Sequence, residues 1–193
     1  MAILSAVLVL VIAGCGLTLE QAVLEEAMRL GEGWTQTPVD SSTVQVLQAV
    51  AMEGRTIAVV GLARVAKDGQ RSECVFVYEA VRTRLRWKTG GGGGGCGPGA
   101  RLGLPLWIGS GQNSSVNADA WSRVYGVVYA EDIVRAEVGW EDGLVQDVEV
   151  VHGSVLAVRE GTHRYEQVRG LDAQSHVVYV HEQPGVSPGK QEP

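Results

Sequence analysis

The feature that most constrains the fold is a regular alternation of apolar and polar residues near the C-terminus. From Val134 to Trp140 every second residue is apolar, and Arg, Glu or Gly stands between. A period of two residues is that of a β-strand with one buried face. A Glu-Asp-Gly turn at 141–143 leads into residues 144–151, where acidic residues alternate with valine. This region therefore predicts two antiparallel strands joined by a tight turn.

Further short strands are expected at regular intervals in the same part of the chain. Their patterns lie at 123–129, 155–159, 165–171 and 176–181. Evenly spaced short strands with polar turns are typical of antiparallel sandwiches and barrels. We therefore predict a mainly β protein (α+β) with an N-terminal helix, an antiparallel meander and a small Ig-like antiparallel β-sandwich at residues 120–182.

The antiparallel meander is predicted over residues 33–88. Strands are expected at 56–65, 73–81 and 83–88, with a Lys-Asp-Gly turn at 67–69. Residues 34–42 are mostly polar and are interpreted as a connection. Residues 43–52 fit either a strand or a short helix, because their apolar residues match neither period clearly.

An uninterrupted run of six glycines occupies residues 90–95. A phosphate-binding loop requires a Gly-Lys-Ser/Thr sequence opening a helix, and none follows the run. We therefore predict a flexible surface loop, set in a Gly-rich irregular region at 89–119. The Pro- and Gly-containing tail at 183–193 is predicted to be disordered.

The N-terminus carries an uncharged apolar run from Ala2 to Ile12 that is too short to span a bilayer. It has the length of a signal-peptide core and ends in Val-Ile-Ala-Gly before Cys15. This ending resembles the lipobox of bacterial lipoproteins, although Lys and Arg are absent before the apolar run. The resemblance implies a signal peptide at 1–14 and a diacylglycerol on Cys15. The alternative is a buried first element of a cytoplasmic protein.

A short amphipathic helix is predicted directly after this site, within the segment 15–32. Thr18 and Gln21 have the spacing of a capping box, in which each side chain bonds to the backbone of the other. Gly31 is the expected end of the helix.

The remaining two of the three cysteines, Cys74 and Cys96, form an even pair once Cys15 is assigned to lipid. In an oxidising compartment they are expected to form a disulfide. The alternative is two free thiols. Their spacing with histidine does not resemble a zinc site.

The order of these features resembles that of uncharacterised lipoproteins of Gram-positive bacteria. The matching pieces are Leu85-Arg86-Trp87-Lys88, the glycine run, Val124-Tyr125-Gly126-Val127-Val128, Val138-Gly139-Trp140-Glu141-Asp142-Gly143, Val168-Arg169-Gly170-Leu171-Asp172-Ala173 and Val177-Val178-Tyr179. The resemblance covers most of the chain after Cys15 and implies no catalytic activity.

The net charge of −6 and the lack of a basic stripe argue against nucleic acid as a partner. Four tryptophans are candidate binding aromatics, and the alternative is that they pack in the core. They are Trp87, Trp107, Trp121 and Trp140. No catalytic residue, metal site or cofactor is predicted, apart from the covalent lipid.

The sequence therefore predicts a membrane-anchored extracytoplasmic lipoprotein. We expect a non-catalytic binding module whose partners are the membrane, through the anchor, and a cell-wall or envelope protein. The alternatives are a regulatory envelope-stress lipoprotein and an envelope hydrolase that uses His152 or His163 with a nearby carboxylate.

Overall fold

The computed structural model describes residues 18–35, 39–52, 54–65, 69, 71–83, 87–97, 103–113 and 120–183. A helix is followed by antiparallel strands. The elements are α1 (Leu19–Thr35), β1 (Val39–Met52), β2 (Arg55–Val65), β3 (Arg71–Arg82), β4 (Trp87–Gly97), β5 (Leu106–Asn113), β6 (Trp121–Val128), β7 (Arg135–Trp140), β8 (Val145–Glu149), β9 (Ser154–Glu160), β10 (Tyr165–Leu171) and β11 (Val177–Glu182). The prediction of a mainly β protein with one N-terminal helix is confirmed.

Helix α1 begins with the capping box that the sequence predicts. The Thr18 backbone N–H donates to Gln21 Oε1 at 2.9 Å, and the Gln21 N–H donates to Thr18 Oγ1 at 3.2 Å. The helix buries Val23 and Ala27 against the sheet that follows. The predicted end at Gly31 is wrong, since a glycine inside a helix costs only about 1 kcal/mol and does not by itself end one. No helix among the described residues is long and apolar enough to cross a membrane.

The predicted meander forms a sheet in the order β1-β2-β3-β4, here called the first sheet. Residues 43–52 are a strand, but the polar connection predicted at 34–42 is too long, because β1 already begins at Val39. The polar residues after Val39 fit into the strand as an irregularity. The Asp40 carboxylate accepts from the Ser42 hydroxyl at 2.6 Å, and the register with β2 shifts there.

The prediction of a flexible glycine loop at 90–95 is wrong, because this segment belongs to β4. Its glycines pair with residues 75–78 of β3. At Gly94 a Cβ atom would lie 2.2 Å from the Val75 carbonyl oxygen, so the close approach of the two strands requires glycine. The irregular region predicted at 89–119 is wrong for the same reason, since it contains most of β4 and all of β5.

Residues 120–182 contribute to two facing antiparallel sheets, as the prediction of a sandwich requires. The middle sheet has the order β5-β6-β9 and the outer sheet β11-β10-β7-β8. Strand β5 lies outside the predicted boundary. The shared core of the two sheets contains Leu106, Val124, Ala136, Val138, Trp140, Val148, Val155, Ala157, Tyr165 and Val168.

The middle sheet is covered on both faces. Its other face meets the first sheet through a second core, formed by Leu47, Ile57, Val59 and Val77 of the first sheet with Trp121, Tyr125 and Leu156 of the middle sheet. The molecule is therefore a stack of four layers: helix, first sheet, middle sheet and outer sheet. The predicted signal peptide, Cys15 and the tail beyond Gln183 lie outside the described residues.

Candidate functional site

The four candidate tryptophans do not share a face. Trp121 and Trp140 are 2% and 1% exposed and belong to two different cores, so the prediction that they line a binding face is wrong. Trp87 is half-buried beside the Arg82 guanidinium, which lies 6.0 Å from its ring centre. Trp107 is also half-buried, and it lines a cavity.

This cavity, here called the cleft, lies between the first and middle sheets and has a volume of about 410 Å³. All four strands of the first sheet reach it, and β5, the end of β6 and the turn before β9 close the other side. The volume lies within the range of about 300–1,000 Å³ that is usual for small-molecule sites.

Next to the cleft, a disulfide joins Cys74 of β3 to Cys96 of β4, and the Cys74 side chain packs in the core on the helix side of the first sheet. The two residues are direct partners across the strands, and the Cys74 side chain is buried. The pairing predicted from the cysteine count is therefore confirmed. Because polyglycine has no side chains to pack, this covalent link holds the end of β4 against β3.

Glycine provides the room in the cleft at two strand positions. A Cβ atom at Gly95 would lie 3.9 Å from Trp107 Cζ2, and one at Gly61 would lie 3.2 Å from Leu47 Cδ1. Larger side chains at these places would occupy the cavity. The Trp107 ring is oriented by an edge-to-face contact with Tyr125, with ring centres 5.9 Å apart.

The polar groups of the cleft are few, and they are mostly at its rim. Thr43, Gln45, Glu73, Tyr129 and His152 line it together with apolar side chains. Burial raises the pKa of the Tyr129 hydroxyl, and the negative charge of Glu73 raises this pKa further. Glu73 is the one acidic residue among the lining residues in the described part of the chain, and no Lys or Arg is found there.

The two histidines of the hydrolase alternative lie in different cavities. His152 lines the cleft, in a left-handed backbone conformation (φ 49°), and its Nδ1 lies 3.1 Å from the Leu47 carbonyl oxygen. His163 lies in a smaller pocket and meets the edge of the Trp140 ring, with ring centres 6.4 Å apart. In the described residues neither histidine has a carboxylate as hydrogen-bond or ion-pair partner. No group of three metal-ligating side chains occurs in these residues either.

The chain does not match any family model, curated protein or solved structure. What its site can bind therefore follows from its own geometry. Sequence reasoning found Trp107 and the disulfide but missed Gly61, Glu73 and Tyr129. The signal available for Gly61 was a glycine inside a strand pattern, which often marks a close approach.

Proposed function

We propose that the chain is a non-catalytic binding module, held by a lipid on Cys15 at the extracytoplasmic face of the cell membrane, and that the cleft holds its ligand. The observation that carries this proposal is the cleft itself. It combines a volume suited to a small ligand with apolar walls, one accessible tryptophan and few polar groups.

The charge and chemistry of the lining favour a particular class of ligand. An aromatic or apolar body would contact Trp107, Val75 and Val127. A basic nitrogen would be attracted by the Glu73 carboxylate, without repulsion from any lysine or arginine of the lining. We therefore propose a small apolar or aromatic ligand that carries one basic group.

The ligand class is tested with two probes that share an indole ring and differ in charge, tryptamine and indole-3-acetate. Titration by calorimetry and thermal unfolding should detect binding of tryptamine and a rise in Tm with its concentration. Indole-3-acetate should bind more weakly. Glu73→Gln should reduce the preference by a few-fold only, since Glu73 is exposed.

The location of the site is tested by filling the cleft. Gly95→Val should abolish the binding of tryptamine, because the new side chain would grow from a Cβ that already touches Trp107. Gly90→Val is the matched control on the same strand, because Gly90 is exposed and does not line the cleft. Equal binding by both variants, or no binding of tryptamine to the unmodified protein, would contradict the proposal.

The anchor is tested by the mass of the mature protein. We expect a mass that corresponds to cleavage before Cys15 and addition of lipid, and the protein should partition with membranes. Cys15→Ala should remain uncleaved and unlipidated. An intact Met1 in a soluble fraction would refute the anchor while leaving the cleft to be judged by its own titrations. Support from the residues comes from the lipobox pattern and from the disulfide, since disulfides persist in oxidising compartments.

A further inference from the structure

His152 is a side chain of the cleft that the function proposed above does not use. It is the first residue of a two-residue hairpin turn, and Gly153 is the second. The flanking residues, Val151 and Ser154, exchange both backbone hydrogen bonds at 2.9 Å. The two turn residues have φ values of 49° and 70°, and a type I′ turn requires positive φ at both places.

The shape of this turn does not account for a histidine. Type I′ turns strongly favour Asn followed by Gly, because both residues adopt a left-handed backbone at low cost. The second position holds the expected glycine, but the first holds an imidazole that the turn itself does not require. A residue in a left-handed conformation beside a cavity points to a role for its side chain. The contacts of the ring therefore decide what His152 does.

One ring nitrogen of His152 fixes the position of the ring. Its Nδ1 lies 3.1 Å from the Leu47 carbonyl oxygen, and 105 residues separate the two in the chain. A carbonyl oxygen can only accept, so Nδ1 carries the proton and is the donor. The bond connects the turn before β9 with β1 of the first sheet, and it thereby holds the imidazole at the rim of the cleft.

The other ring nitrogen, Nε2, is left as an acceptor. A neutral imidazole has one ring proton, and the bond to Leu47 places this proton on Nδ1. Nε2 has no hydrogen-bond partner among the residues that the structure describes. Because His152 is exposed and lines the cleft, the lone pair of Nε2 is available to a bound molecule.

The hydroxyl of Thr43 does not compete with His152 as an acceptor in the cleft. Thr43 Oγ1 donates to the Asp40 carbonyl oxygen at 2.7 Å and accepts from the Ala63 N–H at 2.7 Å. Nε2 of His152 and the Glu73 carboxylate are open acceptors, and the described lining contains no Lys or Arg. A ligand therefore gains most here by bringing hydrogen-bond donors of its own.

We propose that His152 determines specificity in the cleft, with Nε2 accepting a hydrogen bond from the protonated amine of the ligand. The inference rests on the function proposed for the cleft and adds a division of roles to it. Glu73 attracts the positive charge, whereas His152 recognises the N–H groups that carry the charge. The cleft thus selects primary and secondary ammonium groups over quaternary ones, which have the same charge and no donor.

Two probes of equal charge test this division, tryptamine and N,N,N-trimethyltryptammonium. Calorimetric titration of the unmodified protein should show that tryptamine binds about tenfold more tightly, which is the effect expected of one hydrogen bond to a charged group. Glu73→Gln should weaken the binding of both probes alike and keep this ratio. Equal affinities of the two probes for the unmodified protein would overturn the inference.

His152→Asn is the decisive variant, because asparagine is favoured in this turn and the fold should be kept. It should bind tryptamine about tenfold more weakly and leave the binding of trimethyltryptammonium almost unchanged. His176→Asn is the matched control, because His176 lies in the turn before β11 and does not line the cleft. Equal weakening of both probes by His152→Asn would show that the ring only holds the turn in place, and would overturn the inference.

Nitrogen NMR of the imidazole rings tests the acceptor directly, with the His152 signals assigned by their loss in His152→Asn. In ¹⁵N-labelled protein at mildly alkaline pH, the ring should carry its proton on Nδ1, and the Nε2 signal should shift and saturate as tryptamine is added. A proton on Nε2 in the free protein, or an Nε2 signal that stays in place while Tm rises, would overturn the inference and leave the cleft as the binding site. No binding of tryptamine at all would overturn both.

Discussion

At the scale of single residues, burial of tyrosine hydroxyls makes the free energy of unfolding depend on pH in the alkaline range. Tyr78 is 1% exposed, and burial raises its pKa to about 12, with a further contribution from the negative charge of Glu26. Burial likewise raises the pKa of Tyr125, Tyr129 and Tyr165. In each case the folded state keeps a proton that the unfolded chain releases near its ordinary pKa of 10.0.

We therefore predict that Tyr78 leaves stability unaffected below pH 10 and lowers it between pH 10 and 12, and that the other three tyrosines add to the fall at alkaline pH. Tyr78 reduces the free energy of unfolding by about 1.4 kcal/mol per pH unit in that window. Urea unfolding at increasing pH measures the fall, and tyrosinate absorbance follows the titration. Tyr78→Phe should make the fall shallower. An unchanged slope in Tyr78→Phe would refute the role of Tyr78.

The glycines of β4 differ in whether they can be replaced by a residue that has a side chain. At Gly94 a Cβ atom would lie 2.2 Å from the Val75 carbonyl oxygen and 2.6 Å from Phe76 Cα, both of them backbone atoms. Gly94→Ala should therefore lower the free energy of unfolding by about 1–3 kcal/mol. At Gly90 the nearest atom would be 3.7 Å away, so Gly90→Ala should change stability by no more than about 0.5 kcal/mol. Urea denaturation of the two variants compares them directly, and equal stabilities would contradict the close approach at Gly94.

At the scale of elements, the stability of β4 depends on a few links to β3 and not on side-chain packing along the strand. Its glycines contribute backbone hydrogen bonds but no side-chain packing, and glycine loses more conformational entropy on folding than any other residue. The disulfide at Cys96 and the pairing of Trp87 with Arg82 hold its two ends. The strand is therefore expected to be the first part of the first sheet to open.

Removing the disulfide tests this dependence. The double substitution Cys74→Ala and Cys96→Ala should cost about 3 kcal/mol, because the bridge closes a separation of 22 residues. Hydrogen exchange of the β4 amides should accelerate more than that of β2. A reductant should have the same effect on the unmodified protein and none on the variant. Unchanged exchange in β4 after loss of the bridge would show that backbone pairing alone holds the strand.

At the scale of the whole molecule, the middle sheet joins the layers into one unit. Its strand β6 contributes Val124 to the core with the outer sheet, and Trp121 and Tyr125 to the core with the first sheet. Strand β9 likewise contributes Leu156 to the first-sheet side and Ala157 to the other. The two β regions are thus not independent.

We predict that the segment 103–183 expressed alone is not stably folded, although it contains both sheets of the sandwich. It would expose the large side chains of Trp121, Tyr125 and Leu156, which the first sheet covers in the full chain. Binding of a hydrophobic dye and a broad thermal transition should distinguish the segment from the full chain. A sharp transition equal to that of the full chain would show that the sandwich is autonomous.

The sequence by itself determined the elements that depend on near neighbours in the chain. The capping box at Thr18 and Gln21 and the strands with an apolar–polar period are local, so their residues carry the information directly. The prediction of a loop at the glycine run is wrong for the opposite reason: this strand forms only because β3 lies beside it, and polyglycine has no apolar–polar period. The disulfide followed from the number of cysteines and not from their positions.

The tertiary structure alone decided where the tryptophans lie and where the cavities form. Among Trp107, Trp121 and Trp140, one lines the cleft and two fill different cores. The cleft draws its residues from six strands, β1 to β6, which belong to two different sheets. Because such contacts depend on how sheets stack, local patterns do not encode them. The physical reason is that burial and unpaired charge are properties of packing, and packing is determined only when all layers are assembled.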